Sequence, residues 1–363
     1  MSDKVKNIIN TICFILIIIG IGIINILSKD VIVSEAERRK LQQFPKISFE
    51  SFEDGKFSND FENYAMDQFM QRQFFRSIKT YMQLSVFRQK DNNQLYIDNG
   101  SIVKIDKTNF ASVENSIKKI NNIYEKYLKG MNVYYTIIPD KYYYSKNSSN
   151  TRNDYEKMVE LYSTNLNNMK YINIFDCLEI NDYFNTDTHW KQENLSKVVD
   201  RISTNMKFNE YLKTPYKKQT ITDFYGVYYG QLAYNMKPDN IICLNNDIIE
   251  NSTVYNYETN KTTKVYDFEK LNSSDKYDIY LSGASPLLTI TNDNCQRNKE
   301  LIVFRDSFAS SIIPLFIEAY NKITVIDTRY MSTDQIKDYV KFNNQDVIFM
   351  YSTLIINNSY SLK

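Results

Sequence analysis

A serine in the last quarter of the chain stands where an α/β protein would present a nucleophile. Ser307 follows an apolar run at residues 301–304 and precedes an amphipathic stretch that extends to about residue 320. This pattern predicts a buried strand, an abrupt turn and a helix, which would place Ser307 at the carboxyl edge of a sheet. The free N–H groups of the helix would then stabilise a developing oxyanion. The alternative is that Ser307 only caps the helix, because Asp and Ser are preferred there.

A base for this serine would have to come from elsewhere in the chain. His189 is the only histidine, and it follows Asp187 by two positions in the segment Asp-Thr-His-Trp. Side chains two residues apart in an extended segment point to the same side, so we expect the Asp187 carboxylate to orient the imidazole. Acid–base chemistry near neutral pH mostly uses histidine. If the protein transfers acyl groups, His189 is therefore the base.

Three more residues are candidates for contact with a substrate. Arg329 and Tyr330 follow an apolar strand at residues 323–326, so they should emerge at the same sheet edge as Ser307. There they would line an acceptor pocket or donate to the oxyanion, unless they only flank the next helix. Trp190, the only tryptophan, adjoins His189 and is the third candidate.

Four nearby polar residues have simpler interpretations. Asp306 is predicted to form the turn before the serine. Lys141 is predicted to be solvated, and the alternative is that it approaches the site from a neighbouring strand end. Ser310 and Ser311 could replace Ser307 as nucleophile. Each would lie about one turn inside the helix, so both rank below Ser307.

In combination these motifs resemble the DHHW family of membrane-anchored bacterial proteins, which is related to the alginate O-acetyltransferases and more distantly to SGNH hydrolases. The segment 34–75 contains Ser-Glu-x-x-x-Arg-x-Leu, then a proline, Asp-Gly-Lys-Phe and Asp-Gln-Phe. The blocks 281–290 and 325–331 resemble those that flank the family's Asp-Ser-Phe turn. Two departures are Arg38, where the family has Asn, and Thr188, where it has His. Neither position belongs to the expected triad.

The resemblance implies an SGNH hydrolase-like α/β fold, with a flavodoxin-like parallel sheet flanked by helices. It also implies transfer of acetyl groups to a cell-surface or secreted polysaccharide through an acyl-serine on Ser307, with His189 as base and Asp187 as its partner. The donor would arrive through a membrane-bound O-acyltransferase. The alternatives are a polysaccharide acetyl esterase with the same residues, and a non-catalytic polysaccharide-binding or scaffold protein of an export system. In SGNH hydrolases the Asp and His usually follow the Ser, but triads occur in several chain orders.

Charge and cysteine content exclude other classes of function. The formal net charge is +1, which argues against a nucleic-acid surface. The four cysteines form no Cys-x-x-Cys motif and no Cys/His cluster, so we expect no metal site and no cofactor. One disulfide among Cys177, Cys243 and Cys295 remains open from the sequence.

Residues 8–27 predict a membrane anchor. Only Asn10, Thr11 and Asn25 interrupt this apolar run, whose length matches one bilayer span. Lys4 and Lys6 precede it, so the N-terminus should be cytoplasmic and the main domain extracytoplasmic at the cell membrane. The alternative is a cleaved signal peptide, but no small-x-small cleavage site follows the run.

Behind the anchor, the pattern predicts one large α/β domain. We expect residues 1–28 to form the cytoplasmic tip and anchor, 29–92 a stalk and N-terminal helices, and 93–363 the SGNH-like domain. A β-rich insertion is expected at about 216–289. The predicted strands and helices alternate, which favours a parallel sheet. The strands are expected at 132–138, 171–174, 301–304, 323–326 and 346–351, the helices at 112–127, 155–166, 192–206 and 332–342, and a hairpin at 94–104.

Overall fold

A computed structural model describes residues 2–146 and 152–363 of the chain. It divides into two compact units. One contains the residues up to Asn92 together with Gly230–Asn235, and the other contains Asn93–Tyr229 and Met236–Lys363. Each unit has its own internal contacts, so we describe them separately.

The first unit begins with the predicted apolar helix. Helix α1 spans Asp3–Leu27, and none of its residues is buried. Its 25 residues correspond to about 37 Å, which exceeds the roughly 30 Å hydrocarbon core of a bilayer. Among the described residues it is the one helix long and apolar enough to cross a membrane. Such a helix fits a single-pass anchor or a signal sequence.

The segment 29–92, expected to form a stalk and N-terminal helices, begins with a small hairpin. Strand β1 (Val33–Ser34) pairs antiparallel with β2 (Arg39–Lys40). Between them, the Glu37 carboxylate binds Arg72 and Arg76, and Arg39 of the Ser-Glu-x-x-x-Arg-x-Leu motif binds Asp67, so both residues join the hairpin to the following helices. Those elements are α2 (Phe49–Glu53), α3 (Lys56–Asp67), α4 (Arg72–Tyr81) and a π-helix (Met82–Val86).

Within the described residues, the second unit is built on an eight-stranded, mostly parallel sheet. Its strand order is β10-β9-β11-β13-β12-β14-β5-β6. The pairings from β13 to β6 are parallel, and those from β10 to β13 are antiparallel. The strands of this unit are β3 (Leu95–Asp98), β4 (Ser101–Lys104), β5 (Asn132–Ile138), β6 (Lys170–Tyr171), β7 (Lys217–Phe224), β8 (Asp239–Asn245), β9 (Thr253–Asn256), β10 (Lys261–Lys264), β11 (Leu287–Thr291), β12 (Glu300–Arg305), β13 (Lys322–Ile326) and β14 (Asp346–Ser352).

Helices cover both faces of the sheet, as predicted. One hydrophobic cluster includes residues of α8, and the other includes residues of α5 and α7. The predicted hairpin is present as β3–β4, and its turn residues Asn99 and Gly100 both have positive φ, which is the conformation that favours Asn-Gly. The helices are α5 (Phe110–Ile123, continued by a π-helix at Tyr124–Leu128), α6 (Lys141–Tyr144), α7 (Arg152–Asn165), α8 (Ser196–Met206), α9 (Val227–Leu232), α10 (Asp247–Asn251), α11 (Ala309–Ile312) and α12 (Thr353–Ile356).

Three predicted elements are shorter than expected. The helix after Ser307 ends at Ile312 and continues as a 3₁₀ helix at Ile313–Ala319, because Pro314 cannot donate the backbone hydrogen bond that an α-helix requires. The segment predicted as a helix at 332–342 is also a 3₁₀ helix, Thr333–Asp338. The strand predicted at 171–174 is reduced to β6.

The segment 216–289 contributes to two different sheets. Strands β7 and β8 form a separate antiparallel ribbon. Strands β9 and β10, with β11 after them, instead extend the antiparallel edge of the main sheet. This segment is β-rich, but much of it therefore belongs to the central sheet.

Candidate active site

Ser307 lies in a tight turn at the carboxyl end of β12. That strand runs between β13 and β14, and Asp306 follows it directly. The Asp306 carboxylate accepts hydrogen bonds from the backbone N–H of Phe308 at 2.9 Å and of Ser352 at 2.7 Å. Asp306 thus forms the turn, as predicted, and also ties it to the end of β14.

The helix that follows Ser307 is too short to supply the predicted dipole. Helix α11 has four residues and starts at Ala309, so the expected stabilisation of an oxyanion by a long helix does not apply. Among the described residues no acceptor pairs with the backbone N–H of Ser307. This N–H is therefore available to an anion beside the serine.

Asp187, His189 and Ser307 form a continuous hydrogen-bonded line. His189 Nδ1 lies 2.6 Å from Asp187 Oδ1, and its Nε2 lies 2.9 Å from Ser307 Oγ. Because a carboxylate can only accept, Nδ1 carries the proton and Nε2 accepts from the serine hydroxyl. The segment is a bend instead of the expected extended segment, and the backbone N–H of His189 also donates to Asp187 Oδ1 at 3.0 Å.

A glycine allows a second strand-end loop to approach Asp187. The backbone N–H of Val227 donates to Asp187 Oδ2 at 2.8 Å. A Cβ at the preceding Gly226 would overlap Asp187 Cα, Cβ and Oδ2, so only glycine fits at this close approach. Both carboxylate oxygens of Asp187 are thus engaged.

A buried aspartate holds the backbone just before Asp187. Asp239 accepts from the backbone N–H groups of Asn185 and Thr186, at 2.9 and 2.8 Å, and from the Thr186 hydroxyl at 2.6 Å. The same hydroxyl accepts from the N–H of Gly226 at 3.0 Å. The bend that carries Asp187 and His189 is therefore fixed by β8, which Asp239 begins.

The imidazole of His189 lies flat on a tyrosine ring. The ring centroids of His189 and Tyr277 are 3.9 Å apart with an angle of 9° between planes, and Phe308 contacts the imidazole at 4.9 Å. Tyr277 is itself buried, and its hydroxyl lies 3.0 Å from Ser311 Oγ. Burial raises the pKa of Tyr277, so it remains a neutral surface for the imidazole.

The prediction that Trp190 contacts substrate is wrong. Its side chain is completely buried. Its indole N–H donates to the carbonyl of Phe308 at 2.8 Å and to Ser311 Oγ at 3.0 Å. Trp190 therefore connects the His189 bend to the turn after Ser307 and cannot meet an external ligand.

Arg329 and Tyr330 follow β13 at the predicted sheet edge, but the guanidinium of Arg329 is already occupied. Its Nε and Nη2 donate to the two carboxylate oxygens of Asp327 at 2.9 and 2.6 Å. Burial opposes the charged form of Arg329, but the Asp327 contact outweighs it and raises the pKa of the guanidinium. Tyr330 is exposed. No hydrogen bond joins either residue to Ser307 within the described part of the chain.

The alternative serines face away from the histidine. Arg305 donates to Ser310 Oγ at 2.8 Å, and Ser311 Oγ accepts from Trp190 and approaches Tyr277. Both serines are buried. Ser307 is the one of the three that reaches Nε2.

Lys141 is buried, so the prediction of a solvated side chain is wrong. Its ammonium donates to the carbonyls of Ile102 and Phe184, at 2.5 and 2.9 Å, and lies 3.3 Å from Ser101 Oγ. Burial lowers the pKa of Lys141 to about 7, although the nearby charges of Asp187 and Asp239 partly oppose this effect. Lys141 therefore connects strand β4 to the segment that leads into the His189 bend.

The described residues contain no group of three or more potential metal ligands. Cys177, Cys243 and Cys295 are free thiols. The disulfide that the sequence left open is therefore absent.

The sequence motifs located Asp187, His189 and Ser307, which the structure brings together, but not the residues that hold them. Gly226 had a usable signal, since glycine is rare in this chain, with 8 in 363 residues. Tyr277, Asp239 and Lys141 had none, because tyrosine, aspartate and lysine occur throughout the sequence. Their roles appear only when the fold brings distant segments together.

Comparisons with known proteins support this architecture. The sequence matches no protein-family model and no curated protein. The structure is similar to that of a DHHW family protein from Eubacterium siraeum, with a TM-score of 0.59 and 20% identity over 75% of this chain and 94% of that one. It is also similar to PatB1 of Bacillus cereus with a sulfonyl adduct, with a TM-score of 0.55 and 17% identity over 74% and 97% of the two chains. A second PatB1 structure gives a TM-score of 0.55 at 16% identity. The protein thus shares its fold with a DHHW family protein, in agreement with the resemblance of its motifs.

Proposed function

We propose that this protein is a membrane-anchored O-acetyltransferase that modifies an extracytoplasmic polysaccharide through an acyl-serine on Ser307. The observation that carries the proposal is the line from Asp187 Oδ1 through His189 to Ser307 Oγ, with separations of 2.6 and 2.9 Å. These are the distances at which a base activates a serine and is itself oriented by a carboxylate. The shared fold with a DHHW family protein supports the same conclusion.

In the first half of the reaction, His189 Nε2 takes the proton of Ser307 as Oγ attacks the acyl carbon of the donor ester. The Oγ–C bond forms, and the imidazolium then returns the proton to the departing alcohol as the donor's ester bond breaks. Asp187 stabilises the imidazolium. The backbone N–H of Ser307 would donate to the oxyanion of the tetrahedral intermediate.

In the second half, a hydroxyl of the acceptor sugar occupies the place of the departed alcohol. Nε2 takes its proton, the sugar oxygen attacks the acyl carbon, and Ser307 Oγ leaves with the proton from the imidazolium. Water in the same place would give an esterase. A transferase must therefore bind the sugar in attack geometry, where effective molarities reach roughly 10⁵ M or more. We propose that the donor is delivered by a membrane-bound O-acyltransferase at the anchor, with the main domain outside the cytoplasm.

The proposal is tested by trapping and then diverting the acyl group. A sulfonyl fluoride should label Ser307 in the wild type and not in His189→Ala, because labelling needs the activated hydroxyl. With an acetyl ester as donor, added acceptor polymer should move acetyl from free acetate to sugar. Ser307→Ala should abolish both products, whereas Ser332→Ala, which removes a partly exposed serine, should retain them. Acetate release that no polymer alters, together with deacetylation of acetylated polymer, would identify an esterase. Polymer binding without turnover would identify a scaffold protein.

A further inference from the structure

Helix α4 turns its apolar side away from the rest of the first unit. The large apolar residues on that side are all exposed, namely Phe74, Phe75, Ile78, Tyr81 and, at the start of the π-helix, Met82. Residues with this spacing share one side of a helix. In a helix that packs on a protein core, this would be the buried side. We call these five residues the outer face of α4.

The polar side of α4 is the one that contacts the unit. Arg72 and Arg76 bind the Glu37 carboxylate. Thr80 is buried, and its hydroxyl donates to the carbonyl of Leu232 at 2.6 Å. These contacts lie one turn apart along the helix, so they fix its rotation about its own axis. The outer face is therefore held outwards by the polar contacts on the opposite side.

The exposed apolar residues of the two units differ in kind. Among the described residues of the second unit, those with large exposed apolar side chains are six tyrosines and Phe268. A tyrosine places its ring on the surface and its hydroxyl in water, so such exposure is ordinary. In the first unit, seven phenylalanines are exposed between residues 44 and 87. A concentration of rings without polar groups marks a surface that contacts a protein or a membrane.

The predicted anchor ends beside the start of α4. The apolar run at residues 8–27 matches one hydrocarbon core, so the boundary of that core lies near the end of the run. Inside this boundary, Asn25 Oδ1 accepts from the backbone N–H of Met70 at 2.7 Å. The side chain of Gln68 donates to the carbonyl of Val31 and accepts from its N–H, both at 2.9 Å. The turn before α4 is therefore held at the depth where α1 leaves the hydrocarbon.

We propose that the outer face of α4 lies in the interfacial layer of the bilayer that α1 spans. Its apolar side chains enter the boundary between head groups and acyl chains, as those of amphipathic surface helices do. Residues 72–88 include arginine and lysine but no acidic residue, so the segment also attracts anionic head groups. A protein partner could cover an apolar face as well, but continuity with the end of α1 favours lipid. This inference rests on the anchor of the proposed function and does not depend on acyl transfer.

The test measures lipid contact by tryptophan fluorescence in the full-length protein. The protein is reconstituted into vesicles of phosphatidylcholine and phosphatidylglycerol whose acyl chains carry bromine, which quenches a nearby indole. Trp190 is the only native tryptophan and is completely buried, so it supplies a constant background. Phe75→Trp places a probe on the outer face of α4. We expect brominated lipid to remove most of the fluorescence that this probe adds, and aqueous acrylamide to have little effect on it.

Two control probes separate the outer face from the rest of α4 and from the anchor. Gln73→Trp lies on the polar side of α4, where Gln73 accepts from Arg76 at 2.9 Å, and should be quenched much less by brominated lipid. Phe14→Trp lies within α1 and reports whether the anchor is inserted.

The probes distinguish failure of the inference from failure of the anchor. Strong lipid quenching at positions 14 and 75, with little at position 73, would support the proposal. Quenching at position 14 alone, with position 75 open to acrylamide, would overturn it and indicate a protein partner, while the anchor would stand. Equal quenching at positions 73 and 75 would also overturn it, because no particular side of α4 would then face the lipid. The absence of quenching at position 14 would remove the anchor and the inference together.

Discussion

The buried ammonium of Lys141 provides a quantitative test of the structure around the His189 bend. The side chain is 2% exposed and donates to two backbone carbonyls. Burial lowers its pKa from 10.5 to about 7. A tenfold change in an acid dissociation constant corresponds to about 1.4 kcal/mol. The lowered pKa of Lys141 therefore makes the free energy of unfolding about 5 kcal/mol smaller at a pH below 7 than at a pH above 10.5.

The direction of the pH dependence follows from which state binds the proton first. As the pH falls from about 10.5, the unfolded chain protonates Lys141 while the folded protein does not, and the free energy of unfolding falls by about 1.4 kcal/mol per pH unit. Below about pH 7 both states carry the proton, and this loss stops. Methionine does not titrate, so Lys141→Met removes this pH dependence from both the folded and the unfolded state. When the pH rises from 7.5 to 10, the free energy of unfolding of the wild type should therefore rise by about 3 kcal/mol more than that of the variant.

The measurement is denaturant unfolding of both full-length proteins at several pH values in the same detergent. Other groups titrate alike in the two proteins, so they cancel in the difference. At pH 10 the variant should be the less stable, because the carbonyls of Ile102 and Phe184 lose their donor, at about 1–3 kcal/mol for each unsatisfied group. Lys118→Met, which changes an exposed lysine, should follow the wild type. Parallel curves for Lys141→Met and the wild type would show that the ammonium is not buried.

Three further predictions concern the site and the anchor. Gly226→Ala should force the Asp187 carboxylate away from the imidazole and lower kcat by roughly 100-fold, while the protein stays folded. Unchanged turnover of an acetyl ester would contradict the close approach of Gly226 to Asp187. Trp190→Phe should destabilise the protein by about 1–2 kcal/mol, because the carbonyl of Phe308 loses its shortest hydrogen bond and keeps only those from Tyr277 and Ser311 at 3.4 Å. It should leave the affinity for acceptor oligosaccharide unchanged in calorimetry. A reporter fused after Lys363 should be active only outside the cytoplasm. N-terminal sequencing should find the first residues of the chain intact, whereas a new N-terminus near residues 28–34 would show a cleaved signal peptide.

The sequence predicted the parallel sheet because its strands are local apolar runs. Strand β5 has the predicted bounds, and β12, β13 and β14 differ from prediction only at their ends. Helix type was harder to predict, since residues 313–319 have helical periodicity but form a 3₁₀ helix at Pro314. Periodicity shows which face is buried, but it does not distinguish i+3 from i+4 hydrogen bonding over one or two turns.

The burial of Lys141 and Trp190 could not be derived from local pattern. Both predictions rested on the usual preference of the residue type for solvent or for a ligand surface. The structure places each against backbone carbonyls from a segment that is distant in the chain, the carbonyl of Phe184 for Lys141 and that of Phe308 for Trp190. A polar group is buried when the fold supplies its partner, and long-range pairing of this kind leaves no trace in a local window.

The substitution of threonine for histidine at position 188 can be explained by the direction of its side chain. Thr188 Oγ1 accepts a hydrogen bond from the hydroxyl of Tyr228 at 3.1 Å, while Asp187 and His189 make the contacts that lead to Ser307. The Asp187 carboxylate is held by the backbone N–H groups of His189 and Val227, and backbone donors do not depend on the identity of residue 188. A change at this position therefore leaves the orientation of the imidazole intact. What the site does require is the absence of a side chain at Gly226, because a Cβ there would occupy the space of Asp187 itself.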